Sequence, residues 1–274
     1  MPNCKFMETN RIYPENCIRT LEQMPDDFLD MTLTSPPYDD LRTYNGYELP
    51  LSEIVELLYQ KTKPGGVVVW VIGDRTVNGS ESLTSFKHAF EFAKHGFSVH
   101  DTMLYVKNNP IPSDCGKRYR QSFEYMFCFS KGVPKTFNPI TEPTKSAGQK
   151  IKAFRITQAG RGNVPAEDIG RQIKTERKAS NIFTYNVGTS SSSDRIAFKH
   201  PAIFPEKLAE DQIRSWTDRG DLVYDCFMGS GTTAKVAQLL KRRWIGSEVS
   251  SDYVRIAEER IAPYVESRKI SAAK

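Results

Sequence analysis

Continuous apolar runs alternate with stretches of helical periodicity, and this alternation constrains the fold more than any other feature of the sequence. The run "VVVWVIG" (67–73) follows the turn sequence "KPGG" and contains no polar residue, as in a strand covered on both faces. Before it, within 51–62, apolar residues recur three and four positions apart, as on one side of a helix. Strands alternating with helices form βαβ units, so the sequence predicts a doubly wound α/β fold with a mainly parallel sheet.

The same alternation occurs toward both ends of the chain. Strands are predicted at 30–34, 67–73, 97–107, 123–130, 221–227 and 244–249, and helices at 51–62, 86–94, 232–241 and 253–261. Ligands of doubly wound sheets bind beyond the carboxyl ends of the strands. Functional residues are therefore expected directly after the predicted strands.

The first predicted strand is followed by "SPPY", which comprises Ser35, Pro36, Pro37 and Tyr38. Proline has no N–H and a fixed φ, and it biases the preceding residue toward extended backbone. This rigidity fixes the directions of the Ser35 hydroxyl and the Pro36 carbonyl, and the Tyr38 ring offers a flat surface for stacking. Such acceptors suit a planar substrate with an exocyclic amino group. A simple strand-terminating turn is the alternative interpretation.

A second strand end carries "DCFMGSGTT" (225–233), in which a Gly-Ser-Gly turn connects a strand to a helix. Glycines let a ligand approach the backbone, and N–H groups at a helix start point toward it. A tight structural turn, a phosphate-binding loop and a nucleoside-binding loop are the competing interpretations. The lysine that a P-loop requires before Thr232 is absent, which argues against a nucleotide-phosphate hydrolase. The next strand ends in Glu248, whose carboxylate can accept hydrogen bonds from ribose hydroxyls, and this favours a nucleoside cofactor.

Positive charge is concentrated in one segment, from Lys145 to Lys178. The segment has nine basic and three acidic residues, a net charge of +6, whereas the whole chain has +5. It contains few large apolar residues and is followed by the four serines 190–193, so we expect an exposed insertion. An exposed basic segment suits a polyanionic partner, and a merely solvated loop is the alternative.

Cysteine usage and hydropathy argue against several classes of protein. The five cysteines form no CxxC pair, and their odd number in a chain without a signal-peptide-like start argues against a disulfide framework or a zinc cluster. The four histidines are scattered and predict no metal site. No apolar run reaches the roughly 18 residues of a membrane span. We therefore expect a cytoplasmic protein without a metal or a membrane partner.

With both strand ends in view, the sequence resembles the DNA amino-methyltransferases of restriction-modification type, in particular the beta class with its permuted motif order. In that family a D/N/S-P-P-Y/F motif precedes the target-recognition region, and an FxGxG motif for S-adenosyl-L-methionine follows it. Here "SPPY" precedes the basic segment and "FMGSG" (227–231) follows it. Further similar segments are "KPGGVVVWVIGD", "YVKNNPIPSD" and "KHPAIFPEKLAEDQIRSW" (199–216). The segment "IYPENCIRTLEQMP" carries Asn16 where the family usually has an aspartate.

The resemblance implies a Rossmann-like fold of the S-adenosylmethionine-dependent methyltransferase type. It implies a catalytic half at 1–135, a target-recognition insertion at 136–195 and a cofactor-binding half at 196–274. The implied cofactor is S-adenosyl-L-methionine and the implied partner is double-stranded DNA; a homodimer and a cognate restriction endonuclease are compatible with it. The implied cofactor-binding residues are Asn16, Cys17, Lys199, His200, Pro201, Phe204, Asp225, Phe227, Gly229, Ser230, Gly231, Thr232 and Glu248. The implied DNA-binding residues are Lys145, Lys150, Lys152, Arg155, Arg171, Lys174, Arg177 and Lys178.

The resemblance also implies methyl transfer to an exocyclic nitrogen of a base that has been flipped out of the duplex. Ser35 and the Pro36 carbonyl would hold the amino group, and Tyr38 would stack on the base. Serine at the first motif position favours cytosine N4, with adenine N6 as the alternative. Cytosine-C5 methylation needs an activated cysteine in a Pro-Cys context, which the sequence lacks. A DNA-binding module without catalysis would show a broken motif, and neither the catalytic nor the cofactor motif is broken.

Overall fold

The expected strands and helices form an open α/β sheet with helices on both faces. The computed structural model describes residues 7–37, 49–110, 116–149, 154–156, 163–165, 172–200, 203 and 205–272. Contacts divide the chain into a large unit, Met1–Asn138 with Asn181–Lys274, and a small unit, Pro139–Ser180. The main sheet and the six α-helices of the described residues belong to the large unit.

The described part of the chain contains fourteen strands and six α-helices. The strands are β1 (Arg11–Tyr13), β2 (Leu29–Thr34), β3 (Thr62–Ile72), β4 (Thr76–Val77), β5 (Ser80–Glu81), β6 (Ser98–Lys107), β7 (Phe123–Ser130), β8 (Thr141–Pro143), β9 (Phe154–Ile156), β10 (Asn163–Pro165), β11 (Glu176–Lys178), β12 (Ile182–Tyr185), β13 (Leu222–Asp225) and β14 (Arg243–Ser247). The α-helices are α1 (Cys17–Gln23), α2 (Leu51–Lys61), α3 (Thr84–Lys94), α4 (Glu206–Trp216), α5 (Thr232–Leu239) and α6 (Ser251–Ala272). Two short 3-10 helices occupy Gly188–Ser190 and Arg195–Lys199.

Eight strands form the main sheet in the order β1-β14-β13-β2-β3-β7-β6-β12. Neighbouring strands are parallel except at β7, which runs antiparallel to both β3 and β6. The prediction of a doubly wound, mainly parallel sheet is confirmed. From β2 the chain continues to β3 on one side, and from β13 it continues to β14 on the other side. The strand order therefore reverses between β2 and β13, and ligands of such sheets bind at this switch point.

Strand β3 shows how the sheet is covered on both faces. Residues 67–72 are buried, each with at most 1% of its surface exposed. The odd-numbered residues pack in one hydrophobic cluster with residues of α4, α5 and α6, and the even-numbered residues pack in a second cluster with α1, α2 and α3. Burying a Val or Ile side chain contributes about 1.5–3 kcal/mol. The continuous apolar run is thus a consequence of having helices on both sides.

Among the elements that hydrophobic periodicity did not predict are β1, β12, α1 and α4. Three of them are three to seven residues long, too short for a periodic signal. Helix α4 has the sequence "EKLAEDQIRSW", in which charged and polar residues outnumber the apolar ones that face the sheet. The predicted strand 221–227 is shorter, Leu222–Asp225, because the chain already turns at 226.

The small unit, Pro139–Ser180, contains two antiparallel strand pairs, β8 with β11 and β9 with β10. It contains the basic segment Lys145–Lys178 and lies within 136–195, where the family resemblance implies a target-recognition insertion. Residues beyond it, in β12, add a parallel edge strand to the main sheet beside β6. The role of the small unit in target recognition stays a prediction.

Candidate active site

The carboxyl ends of β2 and β13 meet at the switch point of the sheet. Thr34 ends β2, and its Oγ1 donates a hydrogen bond to Oδ1 of Asp225, which ends β13 (2.6 Å). Thr233, in the first turn of α5, donates from Oγ1 to the carbonyl of Leu33 (3.3 Å). The structure therefore brings together the two strand ends that sequence analysis singled out, 191 positions apart along the chain.

The catalytic segment begins directly after this contact. Ser35 is half-buried, Pro36 is buried and Pro37 is exposed. Tyr38 lies outside the described residues. Because Ser35 follows Thr34, the hydrogen bond from Thr34 to Asp225 fixes the start of the segment relative to the glycine turn after β13.

Asp225 is the buried carboxyl group at this junction, with 1% of its surface exposed. Its Oδ1 also accepts a hydrogen bond from the N–H of Phe227 (3.1 Å). Burial raises the pKa of Asp225 to about 6, although hydrogen bonds from Thr34 and the Phe227 N–H favour the ionised form. The carboxyl group contacts the ends of both motifs, and its predicted contact with the cofactor stays a prediction.

The turn between β13 and α5 needs glycine at two positions. Gly229 and Gly231 have φ values of +51° and +80°, which glycine adopts without strain. A Cβ atom at Gly231 would lie 3.0 Å from Ala257 Cβ and from Ile261 Cδ1, both on α6. A Cβ atom at Gly229 would lie 3.1 Å from Nε2 of His200. The bare backbone of the turn thus lies so close to α6 and His200 that a Cβ atom at either glycine would make an unusually tight contact.

Glu248 follows β14, and its carboxylate is adjacent to the glycine turn. Oε2 accepts a hydrogen bond from the N–H of Gly229 (2.8 Å), and Oε1 accepts one from the N–H of Ser250 (2.9 Å). Burial raises the pKa of Glu248, although these backbone hydrogen bonds lower it. Each carboxylate oxygen has a second acceptor site, so the pair can also accept hydrogen bonds from the hydroxyls of a ribose.

Of the predicted cofactor residues between 199 and 204, His200 contributes most clearly to the site. Its ring is buried and packs edge-on against Tyr253, with 4.2 Å between ring centroids. Lys199 is exposed at the end of a 3-10 helix. Pro201 and Phe204 lie outside the described residues. His200 thus connects this segment to the glycine turn and to the first turns of α6.

Asn16 and Cys17 lie at the start of α1, after β1. The Asn16 Oδ1 accepts a hydrogen bond from the N–H of Ile18 (2.9 Å), which caps the helix. Cys17 is buried in a hydrophobic cluster, and burial raises the pKa of its thiol to about 12. Helix capping and core packing account for the described contacts of these two residues, and their cofactor contacts stay predictions.

A buried ionic network, formed by Asp194, Glu206, Lys235 and Arg260, was missed by sequence reasoning. Lys235 Nζ donates to Asp194 Oδ2 (2.6 Å) and to Glu206 Oε1 (2.8 Å). Burial would raise the pKa of Glu206, but hydrogen bonds from Lys235, Ser192 and Arg260 outweigh it and lower the pKa to about 2. A signal was present in the sequence: Lys235 and Arg260 occupy helix positions among the apolar residues that face the core.

Four of the predicted DNA-binding residues have exposed side chains: Lys145, Lys174, Arg177 and Lys178. Three others, Lys150, Lys152 and Arg171, lie outside the described residues, and Arg155 belongs to β9. Arg177 forms an ion pair with Glu142 across the β8–β11 pair, with 2.7 Å between Nη2 and Oε1. The small unit therefore presents basic side chains to solvent, one of them already paired with a carboxylate.

Two kinds of site were searched for across the described residues. Within them, no group of three or more His, Cys, Asp or Glu side chains is arranged to hold a metal ion. None of the helices that the structure describes combines the length and the apolar character needed to cross a membrane.

Comparison with known proteins agrees with this arrangement. A model of the DNA methylase family, which groups N6 and N4 methyltransferases, matches residues 29–259. The orphan methyltransferase M.BamHII of Bacillus amyloliquefaciens is 47% identical over 253 residues, covering 89% of this chain and 92% of M.BamHII. The type II methyltransferase M.PvuII of Proteus hauseri is 25% identical over 274 residues, covering 89% of this chain and 81% of M.PvuII.

Solved structures show the same fold. The cytosine-N4-specific PvuII DNA methyltransferase superposes with a TM-score of 0.66 at 23% identity, covering 94% of this chain and 92% of that one. The M1.HpyAVI–SAM complex gives a TM-score of 0.59 at 21% identity, covering 92% and 98%. A close glycine turn beside the carboxylate of Glu248 fits S-adenosyl-L-methionine, the family's cofactor. The chain belongs to the DNA methylase family and is an S-adenosylmethionine-dependent DNA amino-methyltransferase of the N4/N6, restriction-modification type.

Proposed function

We propose that this chain methylates the exocyclic N4 of cytosine in double-stranded DNA, with the target base flipped out of the helix. Ser35 carries the proposal, because it is the first residue after β2 and occupies the position where related motifs have Asp, Asn or Ser. The neighbouring hydrogen bond from Thr34 to Asp225 anchors it beside the glycine turn. The PvuII methyltransferase, which has the same fold, is cytosine-N4-specific.

The proposed roles in catalysis are alignment and stabilisation of charge. Bound S-adenosyl-L-methionine supplies an electrophilic methyl group, so no covalent enzyme intermediate is needed. The Ser35 hydroxyl and the Pro36 carbonyl accept hydrogen bonds from the two amino hydrogens, which directs the nitrogen lone pair away from them. The same acceptors stabilise the positive charge that develops on the nitrogen before it loses a proton. Tyr38 stacks on the base and keeps its ring in plane with the acceptors.

The proposed cofactor site comprises the turn from Phe227 to Thr232, Glu248 and His200. Two contacts support this assignment: the close approach of Gly229 to His200 and the hydrogen bond from the Gly229 N–H to Glu248. The position of the turn directly before α5 supports it as well. N–H groups at a helix start favour negatively charged ligand groups, such as the carboxylate of the methionine moiety. Glu248 accepts hydrogen bonds from the ribose hydroxyls.

The proposed DNA contacts come from the small unit. Its exposed side chains at Lys145 and Lys174 and the net charge of its basic segment support binding to phosphates. Extruding a base costs a few kcal/mol in lost stacking and pairing, and phosphate contacts offset this cost. Phosphate contacts position the duplex without reading its sequence.

The test identifies the methylated base. Duplex DNA from a host without DNA methylation is incubated with the protein and methyl-tritiated S-adenosyl-L-methionine, then digested to nucleosides and separated by chromatography. We expect the label in N4-methyldeoxycytidine. Label in N6-methyldeoxyadenosine would overturn the assignment of the base and leave the class of reaction intact. Unlabelled DNA would overturn the proposed activity of this chain.

A pair of variants tests the proposed stacking role of Tyr38. Tyr38→Ala removes the ring, and base stacking on an aromatic side chain is worth about 1–3 kcal/mol, so methylation should fall roughly 5- to 150-fold. Tyr38→Phe keeps the ring and should retain most activity. The affinity for S-adenosylhomocysteine should be the same in both variants and the wild type. A matching loss of cofactor affinity in Tyr38→Ala would contradict separate pockets for base and cofactor.

A further inference from the structure

Arg260, on α6, makes direct contact with the glycine turn from within the protein core. Its side chain is fully buried. Nη1 donates to the carbonyl of Ser230 (3.0 Å) and to Oγ1 of Thr232 (3.0 Å). On the other side of the guanidinium, Nε donates to Asp194 Oδ2 (3.0 Å) and Nη2 donates to Glu206 Oε1 (2.6 Å). One planar group therefore fixes the turn relative to two carboxylates.

A second buried cation completes the network. Lys235, on α5, has 1% of its side chain exposed and contacts the same two carboxylates, Asp194 and Glu206. It also donates to Oγ of Ser193 (2.7 Å). Two cations and two carboxylates balance one another, so no net charge is buried. Balanced pairing of this kind is what allows ions to remain inside a protein core.

The two carboxylates flank the segment that contains His200. Asp194 precedes it and Glu206 follows it at the start of α4. Of the two chain segments proposed to bind the cofactor, the one that contains His200 thus lies along the chain between two acceptors of Arg260, Asp194 and Glu206. The other segment, the turn with Ser230 and Thr232, accepts the hydrogen bonds that Nη1 of Arg260 donates. We propose that Arg260 is a positioning residue that holds these two segments in the geometry that binds S-adenosyl-L-methionine. This inference rests on the proposed cofactor role of both segments.

The chemistry of arginine explains why this position is more than a packing site. Replacing a buried ion pair with apolar residues often leaves stability unchanged or raised, so stability alone is a weak reason for the network. A guanidinium presents five donors in one rigid plane, whereas an ammonium group has three donors at a single point. Lysine at 260 would therefore place its donors at a single point and lose the planar set of donors that joins the Ser230 carbonyl to the two carboxylates. The contact of Gly231 with α6 adds to this, because it fixes the distance between the turn and the helix that carries Arg260.

The test compares two buried arginines. Arg260→Lys keeps the positive charge and loses the planar arrangement of donors. Arg242→Lys is the matched control. Arg242 is also buried, but it donates to Thr217 and to the carbonyl of Leu240, away from the glycine turn. By calorimetry with S-adenosylhomocysteine, we expect Arg260→Lys to bind roughly 10-fold or more weakly, as small displacements of positioned groups do. We expect Arg242→Lys to bind as the wild type does, with DNA affinity unchanged in both variants.

Unchanged affinity in a folded Arg260→Lys variant, or an equal loss in Arg242→Lys, would overturn the positioning role. Glu248→Ala separates this inference from the proposed site. If Glu248→Ala weakens binding and Arg260→Lys does not, only the positioning role fails; if neither weakens it, the assignment of the site fails. Should Arg260→Lys not fold, hydrogen exchange on the wild type decides. S-adenosylhomocysteine should then protect amides around Asp194, Glu206 and Arg260 together with those of the turn, and protection of the turn alone would overturn the proposal.

Discussion

Two arginine–glutamate pairs of nearly equal length occur in the two units of the chain, and their environments are opposite. Arg260 and Glu206 are 2.6 Å apart in the large unit, with 0% and 19% of their side chains exposed. Arg177 and Glu142 are 2.7 Å apart in the small unit, with 64% and 41% exposed. Removing one partner of a buried pair costs about 3–5 kcal/mol, whereas an exposed pair contributes about 0–1 kcal/mol. In the large unit the buried arginine thus also fixes the glycine turn, whereas in the small unit the arginine and the glutamate remain in contact with solvent.

The largest loss of stability is expected at Gly231, where little space separates the glycine turn from α6. Gly231→Ala forces alanine into a left-handed backbone conformation and places its Cβ atom 3.0 Å from two side-chain atoms of α6. The first effect costs about 1–2 kcal/mol and the second about 1–3 kcal/mol, so the free energy of unfolding should fall by about 2–5 kcal/mol. Urea unfolding followed by tryptophan fluorescence measures this loss.

Gly148→Ala is the matched control in the small unit. Gly148 has a φ of +77°, and a Cβ atom there would meet nothing within 4 Å. Only the conformational cost remains, so the loss should be at most about 1–2 kcal/mol. Equal losses of unfolding free energy in Gly231→Ala and Gly148→Ala would show that α6 does not approach the turn as closely as described. The two units would then not differ in how tightly these glycines are packed.

A pH dependence is expected from the buried carboxyl group of Asp225. Burial raises its pKa to about 6, above the roughly 3.9 of an unfolded chain, so the folded protein binds this proton more tightly. Wild-type stability is therefore lost as the pH rises from about 4 to about 6, and the loss is complete above pH 7. Asp225→Asn does not titrate. Relative to the wild type, this variant should gain up to about 3 kcal/mol over that interval.

Free energies of unfolding for both proteins between pH 4.5 and pH 8 give the difference directly, because other groups titrate alike in both. Thr34→Val serves as a second check. Loss of its hydrogen bond removes one of the interactions that favour ionised Asp225, so the midpoint of the pH dependence should move upward. A difference that does not vary with pH would mean that the carboxyl group is accessible to water.

The elements that the sequence predicted share a local signal. The apolar run of β3 and the glycine turn after β13 can each be recognised within about ten neighbouring residues, because burial on two faces and positive φ restrict the residue types allowed. Strand β12, with four residues, has no comparable signal. The domain bounds and the roles of the site residues came from the order of the motifs, through the family resemblance.

The contacts that organise the candidate site join residues far apart along the chain. Thr34 and Asp225 are 191 positions apart, and Asp194 and Arg260 are 66 apart. A charged residue on the core-facing side of a helix indicates that some partner exists, but only the fold determines which one. Periodicity therefore predicted the strand ends, and the pairing of Asp225 with Thr34 and of Arg260 with the turn required the structure.

A smaller effect is expected from exposed cations of the small unit. Lys145→Gln and Lys174→Gln should each lower the slope of log affinity against log salt concentration by about 1, if each lysine contacts one phosphate. Arg177→Gln should lower it less, because Glu142 already lies 2.7 Å from that guanidinium. Filter binding to one duplex at several salt concentrations measures the slopes. Lys87→Gln, exposed on α3 of the large unit, is the control, and an equal change there would mean that the small unit has no special role.

The smallest effect is expected from the Arg177–Glu142 pair itself. A double-mutant cycle with Arg177→Ala and Glu142→Ala should give a coupling energy of about 0.2–1 kcal/mol, because water screens both side chains and ordering them costs entropy. Hydrogen exchange of the amides in the β8–β11 pair reports the local stability of these variants. The coupling should decrease in high salt, since the Debye length falls to about 3 Å at 1 M. A coupling energy of about 3 kcal/mol that does not change with salt concentration would mean that this pair behaves like the buried pair of Arg260 and Glu206. Arg177 would then stabilise the small unit and would not be available to bind DNA.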